Sequence, residues 1–279
     1  MRFSIAEEPA LFAISLRGAL SGWEPPLEPT LATWWDEHDE ALAGRVEALG
    51  WGELWLDAEL LPVCVAGGAE LGRALAPLSL LDRATLGGPL AVGERVRHPG
   101  GPDDPVALAT PGSVGLARVE VVTREPALDG TGTCQMSVVS AEPVPDGAAR
   151  LHAWAAATLG YLHGLAARSL EATVSHAASR EQFGGPLAAL PAVQARLADA
   201  ALAVDGIELV AWESVSPGQP VTVWRDALAW APGAACEVTA SAHQVHGAVG
   251  FALESGVHRA HRRAWSARAW AAEVLRATA

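Results

Sequence analysis

The chain contains no lysine, because all 19 of its basic residues are arginine. The absence of lysine excludes Schiff-base catalysis and the lysine of a phosphate-binding P-loop. Cysteine is also scarce: Cys64, Cys134 and Cys236 lie far apart, without the Cys-x-x-Cys spacing of many metal and redox sites. We therefore expect three buried, reduced cysteines in a reducing compartment rather than a disulfide framework.

Positive charge and long apolar runs are scarce as well. The net charge is −13, and only 18% of the residues are charged. Such a chain lacks the basic face that nucleic acids and anionic membranes require, so we expect neither as a partner. No apolar run is long enough to span a bilayer, and no secretory signal is visible. These observations predict a soluble, cytoplasmic protein.

Half of the 279 residues are apolar, which is typical of a globular chain with a large core. Glycine, proline and hydrophobic periodicity predict a mainly α fold in three parts. These parts are an N-terminal helical domain (1–81), a reduced antiparallel β domain (82–147) and a C-terminal four-helix bundle (148–279). Helices in the first part are predicted at residues 9–18, 31–49 and 62–75.

The middle of the chain carries short β-branched or alternating runs between turn residues. They predict strands at 106–109, 114–123 and 135–140, with turns at 111–112 and 129–130. About sixty residues are too few, on this reasoning, for a complete barrel with a deep ligand pocket.

The last part returns to helical periodicity. Its four helices are predicted at 151–179, 191–215, 222–246 and from about 256 onward. Proline suits the first turn of the helix that begins at Pro191, whereas Pro232 predicts a kink in the next helix because it cannot donate the internal hydrogen bond.

Two motifs stand at ends of these helices: Arg180-Glu-Gln182-Phe183-Gly-Gly-Pro, and Gln244-Val245-His-Gly247-Ala-Val-Gly-Phe-Ala-Leu-Glu254. Each residue alone has an ordinary structural explanation, since arginine caps helix carbonyls and glycine ends helices. Together with segments 193–199 and 71–77, however, the motifs resemble the acyl-CoA dehydrogenase family. The resemblance covers nearly the whole chain and is strongest from about residue 160 to 264.

The resemblance implies a three-domain subunit of a tetramer that holds FAD between subunits. It places Arg180 on the FAD diphosphate and Phe183 near the adenosine, with Gln182 beside them. It places Gln244, Val245 and Gly247 against the same distal part of FAD. Chemistry agrees, because a planar guanidinium can bind a diphosphate with paired hydrogen bonds and glycine permits close backbone approach.

Glu254 matches the position of the family's usual catalytic base. Such a base removes the α-proton of an acyl-CoA thioester while a hydride leaves the β-carbon for the flavin, and it needs an apolar, water-poor setting. The alternative is a solvated turn residue without function. A base on the first bundle helix is excluded, since residues 151–157 contain no carboxylate.

Several family features are missing. The β region lacks the Thr-Glu-Pro…Gly-Ser-Asp type of motif that wraps the flavin ring, and Ala248 and Pro191 replace a glycine and a glutamine of the pattern. The chain thus keeps the residues that a subunit donates to its neighbour's FAD and loses those that hold its own flavin ring.

This asymmetry predicts a hetero-oligomer, α2β2, with a companion acyl-CoA dehydrogenase subunit, as in heteromeric enzymes acting on steroid side-chain CoA thioesters. Two alternatives stay open: a self-sufficient dehydrogenase with Glu254 as base, and a non-catalytic scaffold subunit. No metal site is expected, because His243 and His246 lack a third ligand.

Overall fold

A computed structural model describes residues 7–24, 37–56, 58–97, 105–126, 132–220 and 222–279. The N-terminal part contains α1 (Glu7–Ala19), α2 (Glu37–Glu47), α3 (Leu61–Ala74) and α4 (Ser79–Leu86). The predicted first and third helices are confirmed as α1 and α3. Helix α2 confirms the later part of the helix predicted at 31–49, whose first six residues lie outside the described residues. The short helix α4 was not predicted, and it spans the predicted domain boundary at residue 81, which stays a prediction.

Helices α3 and α5 (Gly147–Ser179) are in backbone contact along their length. Glycines on both helices permit this approach: Gly68, Gly72, Gly160 and Gly164. A Cβ atom at Gly164 would lie 1.9 Å from the carbonyl oxygen of Ala69, which no side chain tolerates. The N-terminal helices are therefore attached to the bundle through an interface that only glycine can form.

The β region is a closed barrel, so the expectation that this segment is too short to close was wrong. Its strands are β1 (Leu90–Val92), β2 (Arg95–Arg97), β3 (Val106–Thr110), β4 (Ser113–Pro126) and β5 (Gly132–Pro143), in the order β1-β2-β5-β4-β3. Parallel pairing of β1 with β3 closes the ring.

Closure depends on two three-residue strands, β1 and β2, which are too short to give a periodic signal. The long strands β4 and β5 pair with two register shifts, and such irregularities bend and coil a sheet. The interior is filled by mostly small or flexible side chains: Ala91, Val96, Val106, Ala117, Cys134 and Met136. Strands β3 to β5 confirm the three predicted strands and the turn at 111–112, whereas the turn predicted at 129–130 lies outside the described residues.

The C-terminal bundle consists of α5, α6 (Pro191–Glu213), α7 (Thr222–His246) and α8 (Val257–Ala277). All four predicted helices are confirmed, although α5 begins four residues earlier than predicted. Pro232 lies inside α7 and is buried, and the kink there stays a prediction. Trp154, Trp224 and Trp270 are buried in the main core, while Trp265 is 44% exposed.

The three cysteines are buried and form no disulfide with one another, as predicted. Burial raises the pKa of the Cys64 thiol to about 12, because an apolar environment disfavours the thiolate. Among the described residues, no helix combines the length and apolar character needed to cross a bilayer.

Candidate active-site cleft between two helix ends

The first motif forms a tight hairpin at the end of α5. The backbone N–H of Arg180 donates to the His176 carbonyl over 2.9 Å and ends the helix. Strand β6 (Glu181–Gln182) pairs antiparallel with β7 (Gly185–Pro186). The N–H of Leu187 then donates to the Arg180 carbonyl over 2.8 Å and closes the base of the hairpin. The hairpin therefore holds Arg180 and Gln182 at a fixed position between α5 and α6.

The turn of this hairpin places a phenylalanine in a conformation that favours glycine. Phe183 has φ of 56° and Gly184 has φ of 87°, the pair of positive values that defines a type I′ turn. A side chain in the left-handed region costs roughly 1–2 kcal/mol. The Phe183 side chain is also 86% exposed, so burial does not offset this cost within the chain. Backbone strain at an exposed aromatic residue is typical of a residue that contacts a ligand or a partner protein.

The second motif forms the corner between α7 and α8. Helix α7 ends at His246, and Gly247 follows with φ of 61°. Two short 3₁₀-helices, Gly247–Phe251 and Leu253–Ser255, lead to Gly256, which ends the turn in the left-handed conformation. The predicted end of this helix at residue 246 is confirmed.

A small satellite core attaches the hairpin to the rest of the bundle. Ala177, Leu187 and Val245 are buried together, and residues at the start of α6, including Val193, pack against them. Val245 is only 8% exposed, so its side chain serves mainly to pack this small core. This core brings the end of α5, the start of α6 and the end of α7 to one place.

A cleft of about 460 Å³ opens where these three elements meet. All six residues that the sequence assigned to cofactor binding line it: Arg180, Gln182, Phe183, Gln244, Val245 and Gly247. The two motifs are about sixty residues apart in the chain, so the fold alone brings them together. Leu187, Leu190, Ala192 and Val193 supply an apolar wall.

The cleft is positive although the chain is strongly acidic. Arg180, Arg196, His176 and His246 all line it, whereas none of its lining residues within the described ranges carries a carboxylate. The first turn of α6 also borders the cleft and contributes the positive end of a helix dipole. In a protein with a net charge of −13, this concentration of positive groups suits an anionic ligand.

Sequence reasoning did not assign Arg196 or His176 to the site. Arg196 lies in segment 193–199, which is part of the family resemblance, and His176 precedes Arg180 by one helical turn. Both positions therefore gave only a weak indication of a role in the site. The rings of His176 and His246 stack with centroids 4.2 Å apart at an interplanar angle of 21°. Burial, then His246 and Arg180, lower the pKa of His176.

Glu254 lies apart from this cleft. It belongs to the short helix Leu253–Ser255, its side chain is exposed, and it lines neither the large cleft nor a smaller cavity of about 100 Å³ nearby. That smaller cavity lies between α5, α7 and the start of α8, with Arg168, Ser255 and Arg259 among its lining residues. The chain by itself therefore does not give Glu254 the water-poor setting that a carboxylate base needs.

Comparison with known proteins shows which family the C-terminal part of the sequence resembles. Residues 148–275 match the family model described as "Acyl-CoA dehydrogenase, C-terminal domain". The short-chain specific acyl-CoA dehydrogenase of Bos taurus mitochondria is 33% identical over 105 residues, which is 36% of this chain and 26% of that protein. Across the curated relatives, the aligned segments cover between 26% and 48% of the relative's length.

Solved structures match nearly the whole chain. The ChsE4–ChsE5 complex from Mycobacterium tuberculosis is similar with a TM-score of 0.73 and 19% identity, covering 99% of this chain and 97% of the matched chain. A variant of the Tcur3481–Tcur3483 steroid ACAD is similar with a TM-score of 0.72 and 18% identity, covering 98% and 97%. Residues 148–275 are therefore similar to the C-terminal domain of acyl-CoA dehydrogenases, and the chain as a whole has the fold of these solved structures.

Proposed function

We propose that this chain is a subunit of an FAD-dependent acyl-CoA dehydrogenase and contributes the distal FAD contacts to a partner subunit. The observation that carries the proposal is the positive cleft, which combines Arg180, Arg196 and two imidazoles with no carboxylate among its described lining residues. A guanidinium binds a phosphate group with paired hydrogen bonds, and the apolar wall suits an adenosine. When bound, FAD supplies the hydride acceptor of the family's α,β-desaturation of acyl-CoA thioesters.

The residues of the cleft fit the distal half of FAD. Arg180 is exposed on a rigid hairpin, so its guanidinium is available to an incoming diphosphate. Gly247 has no atom within 4 Å of the position where a Cβ would stand, which leaves its backbone open to close approach. Phe183 and Phe251 are 86% and 75% exposed, so both present apolar surface near the cleft that a ligand or a partner would cover.

The partner in this proposal is a companion acyl-CoA dehydrogenase subunit, in an α2β2 assembly within the cytoplasm. Two features support it: the flavin-wrapping motif is absent from the sequence, and two of the similar structures are described as the ChsE4–ChsE5 complex and the Tcur3481–Tcur3483 steroid ACAD. The second description also supports a CoA thioester with a steroid side chain as the substrate class.

The test uses the chain co-expressed with its companion subunit. We expect the purified complex to contain FAD, measured by its visible absorption, and Arg180→Ala to weaken FAD binding about tenfold or more, since a hydrogen bond to a charged group contributes roughly 1.5–3 kcal/mol. Arg276→Ala is the matched control, because this guanidinium is exposed at the end of α8 and pairs only locally with Glu273. An unchanged FAD affinity in Arg180→Ala would contradict the diphosphate assignment and favour a scaffold role.

The role of Glu254 is tested separately. Its exposure means that it can act as a base only where the partner covers it. We propose that the companion subunit supplies the base, so Glu254→Gln leaves the turnover of the complex nearly unchanged. A loss of turnover by orders of magnitude in Glu254→Gln, together with stoichiometric FAD in the isolated chain, would instead establish a self-sufficient dehydrogenase.

A further inference from the structure

Two stacked imidazoles form part of the cleft wall, and nothing in the family pattern assigns them a role there. His176 comes from the last turn of α5 and His246 from the last residue of α7. The Nδ1 atom of His246 lies 2.8 Å from the carbonyl oxygen of Ala242. A carbonyl only accepts hydrogen bonds, so Nδ1 carries a hydrogen, and Nε2 is the atom that can gain or lose a proton.

Among the described residues that line the cleft, the ionisable side chains are all basic. Arg180 follows His176 on α5, Arg196 faces the cleft from α6, and His243 lies one turn before His246 on α7. These neighbours disfavour a further positive charge, and burial acts in the same direction on His176. Without a ligand, His176 is therefore kept neutral near neutral pH.

The smaller cavity on the other side of His246 also contains positively charged side chains. His246 also lines the smaller cavity, together with Arg168 and Arg259 from α5 and α8. None of the lining residues of that cavity within the described ranges is an aspartate or glutamate. Among the described residues, no acidic side chain lines either cavity, although Glu24 acts electrostatically on Arg259 of the smaller one.

We propose that the His176–His246 pair belongs to the anion site of the cleft and takes up one proton when a diphosphate binds. The inference rests on the proposed function, because it assumes that a diphosphate occupies this cleft. The proton comes from the solvent and adds to the lone pair of one imidazole nitrogen, while no bond of the diphosphate is broken. Only one proton is taken up, because two imidazolium ions with centroids 4.2 Å apart would repel each other.

Proton uptake has a direct consequence for affinity. The negative charge of the diphosphate raises the pKa of the imidazole that it contacts. If the rise is about one unit, binding becomes about tenfold tighter at a pH well below the histidine range than at a pH well above it. The arginines stay charged throughout this pH range, so a change of affinity with pH reports on the imidazoles.

The experiment measures binding of ADP-ribose to the full chain by calorimetry. ADP-ribose contains adenosine and a diphosphate diester, which has no proton to exchange near neutral pH, so any uptake belongs to the protein. Titrations near pH 7 in two buffers of different ionisation enthalpy give the number of protons taken up. We expect a net uptake of up to one proton, and binding about tenfold tighter near pH 5.5 than near pH 8.

Variants assign the proton to the pair. His176→Gln and His246→Gln are each expected to reduce the uptake, whereas His152→Gln is the matched control, because His152 bonds the Ser214 carbonyl outside the cleft. If either variant fails to fold, NMR titration of the unmodified chain with and without ADP-ribose gives the same information. There the pKa of His176 or His246 is expected to rise, and that of His152 is expected to stay constant.

The outcomes separate the two proposals. Binding that Arg180→Ala weakens but that takes up no proton, with unchanged histidine titration, overturns the proton-uptake inference and leaves the proposed function standing. An absence of ADP-ribose binding at every pH overturns the proton-uptake inference, whereas the proposed function is decided by the FAD content of the co-expressed complex. Proton uptake that persists in full in both His176→Gln and His246→Gln also overturns the inference, because the proton would then reside elsewhere.

Discussion

Arg97 and Asp82 form a two-point ion pair inside the protein, in which Arg97 Nε donates to Asp82 Oδ2 over 2.9 Å. Both side chains are almost completely buried. The indole of Trp154 donates to the same carboxylate over 3.0 Å, and the guanidinium lies over the Trp270 ring, 5.3 Å from its centroid. One buried pair therefore links α4, the barrel strand β2, and helices α5 and α8 of the bundle.

Asp82→Asn is expected to destabilise the chain strongly. It removes the charge that compensates Arg97 and leaves a buried cation, a change that costs about 3–5 kcal/mol. Urea denaturation measures the free energy of unfolding. The control is Glu171→Gln, which breaks the exposed ion pair with Arg73 and is expected to cost less than about 1 kcal/mol. Similar losses in the two variants would contradict a structural role for the buried pair.

Gly164→Ala is expected to disrupt the contact between α3 and α5. The new methyl group would meet backbone atoms of Ala69, which cannot move aside as a side chain can, so we expect a loss of about 3 kcal/mol or more of unfolding free energy. Gly44→Ala is the matched control. Gly44 lies exposed in α2 with nothing within 4 Å of its Cβ position, so alanine there is expected to stabilise by up to about 1 kcal/mol through helix propensity. Equal changes in the free energy of unfolding for the two variants would show that α3 and α5 can move apart to accommodate the methyl group.

The free energy of unfolding is expected to decrease as the pH falls from about 7 to about 5.5. His261 illustrates the reason: its Nε2 accepts a hydrogen bond from the Trp265 indole over 3.0 Å, and its Nδ1 lies 2.9 Å from Thr239 Oγ1. Protonation of Nε2 would break the first bond. Burial, then His243, lower the pKa of His261 below its usual range.

The sign follows from this lowered pKa. Below the usual pKa of about 6.5, the unfolded chain binds more protons than the folded chain, so the stabilisation is present above that pH and is lost as the pH falls. Burial lowers the pKa of His152 and His243 in the same direction. Urea denaturation at the two pH values measures the effect, and His261→Gln is expected to reduce it. Stability that rises with acidity in this range would contradict the assignment.

Phe183→Asn is expected to stabilise the chain and weaken its ligand binding. Asparagine tolerates positive φ far better than phenylalanine and favours type I′ turns, so the free energy of unfolding should rise by up to about 1 kcal/mol. FAD affinity of the complex is expected to fall, because the exposed ring is lost. Phe183→Leu serves as the control: it keeps the backbone strain and removes only the aromatic ring. Lower stability in Phe183→Asn would show that the ring supports the fold itself.

The periodicity of apolar residues determined the four bundle helices, because each buries one face against a common core. Pro191 and Gly247 likewise fixed where α6 begins and where α7 ends, through local backbone chemistry. The motifs around Arg180 and Gln244 were visible as strings of residues. Their family pattern therefore gave the candidate contacts before any geometry was known.

Only the tertiary structure decided what depends on contacts between distant residues. It closed the β region into a barrel through two strands too short for any periodic signal, β1 and β2. It brought Arg180 and Gln244 to one cleft, added Arg196 and the stacked His176–His246 pair, and left Glu254 exposed outside. The physical reason is the same in each case. Local sequence sets the dihedral angles and the buried faces, whereas the neighbours of a side chain are set by how those faces pack.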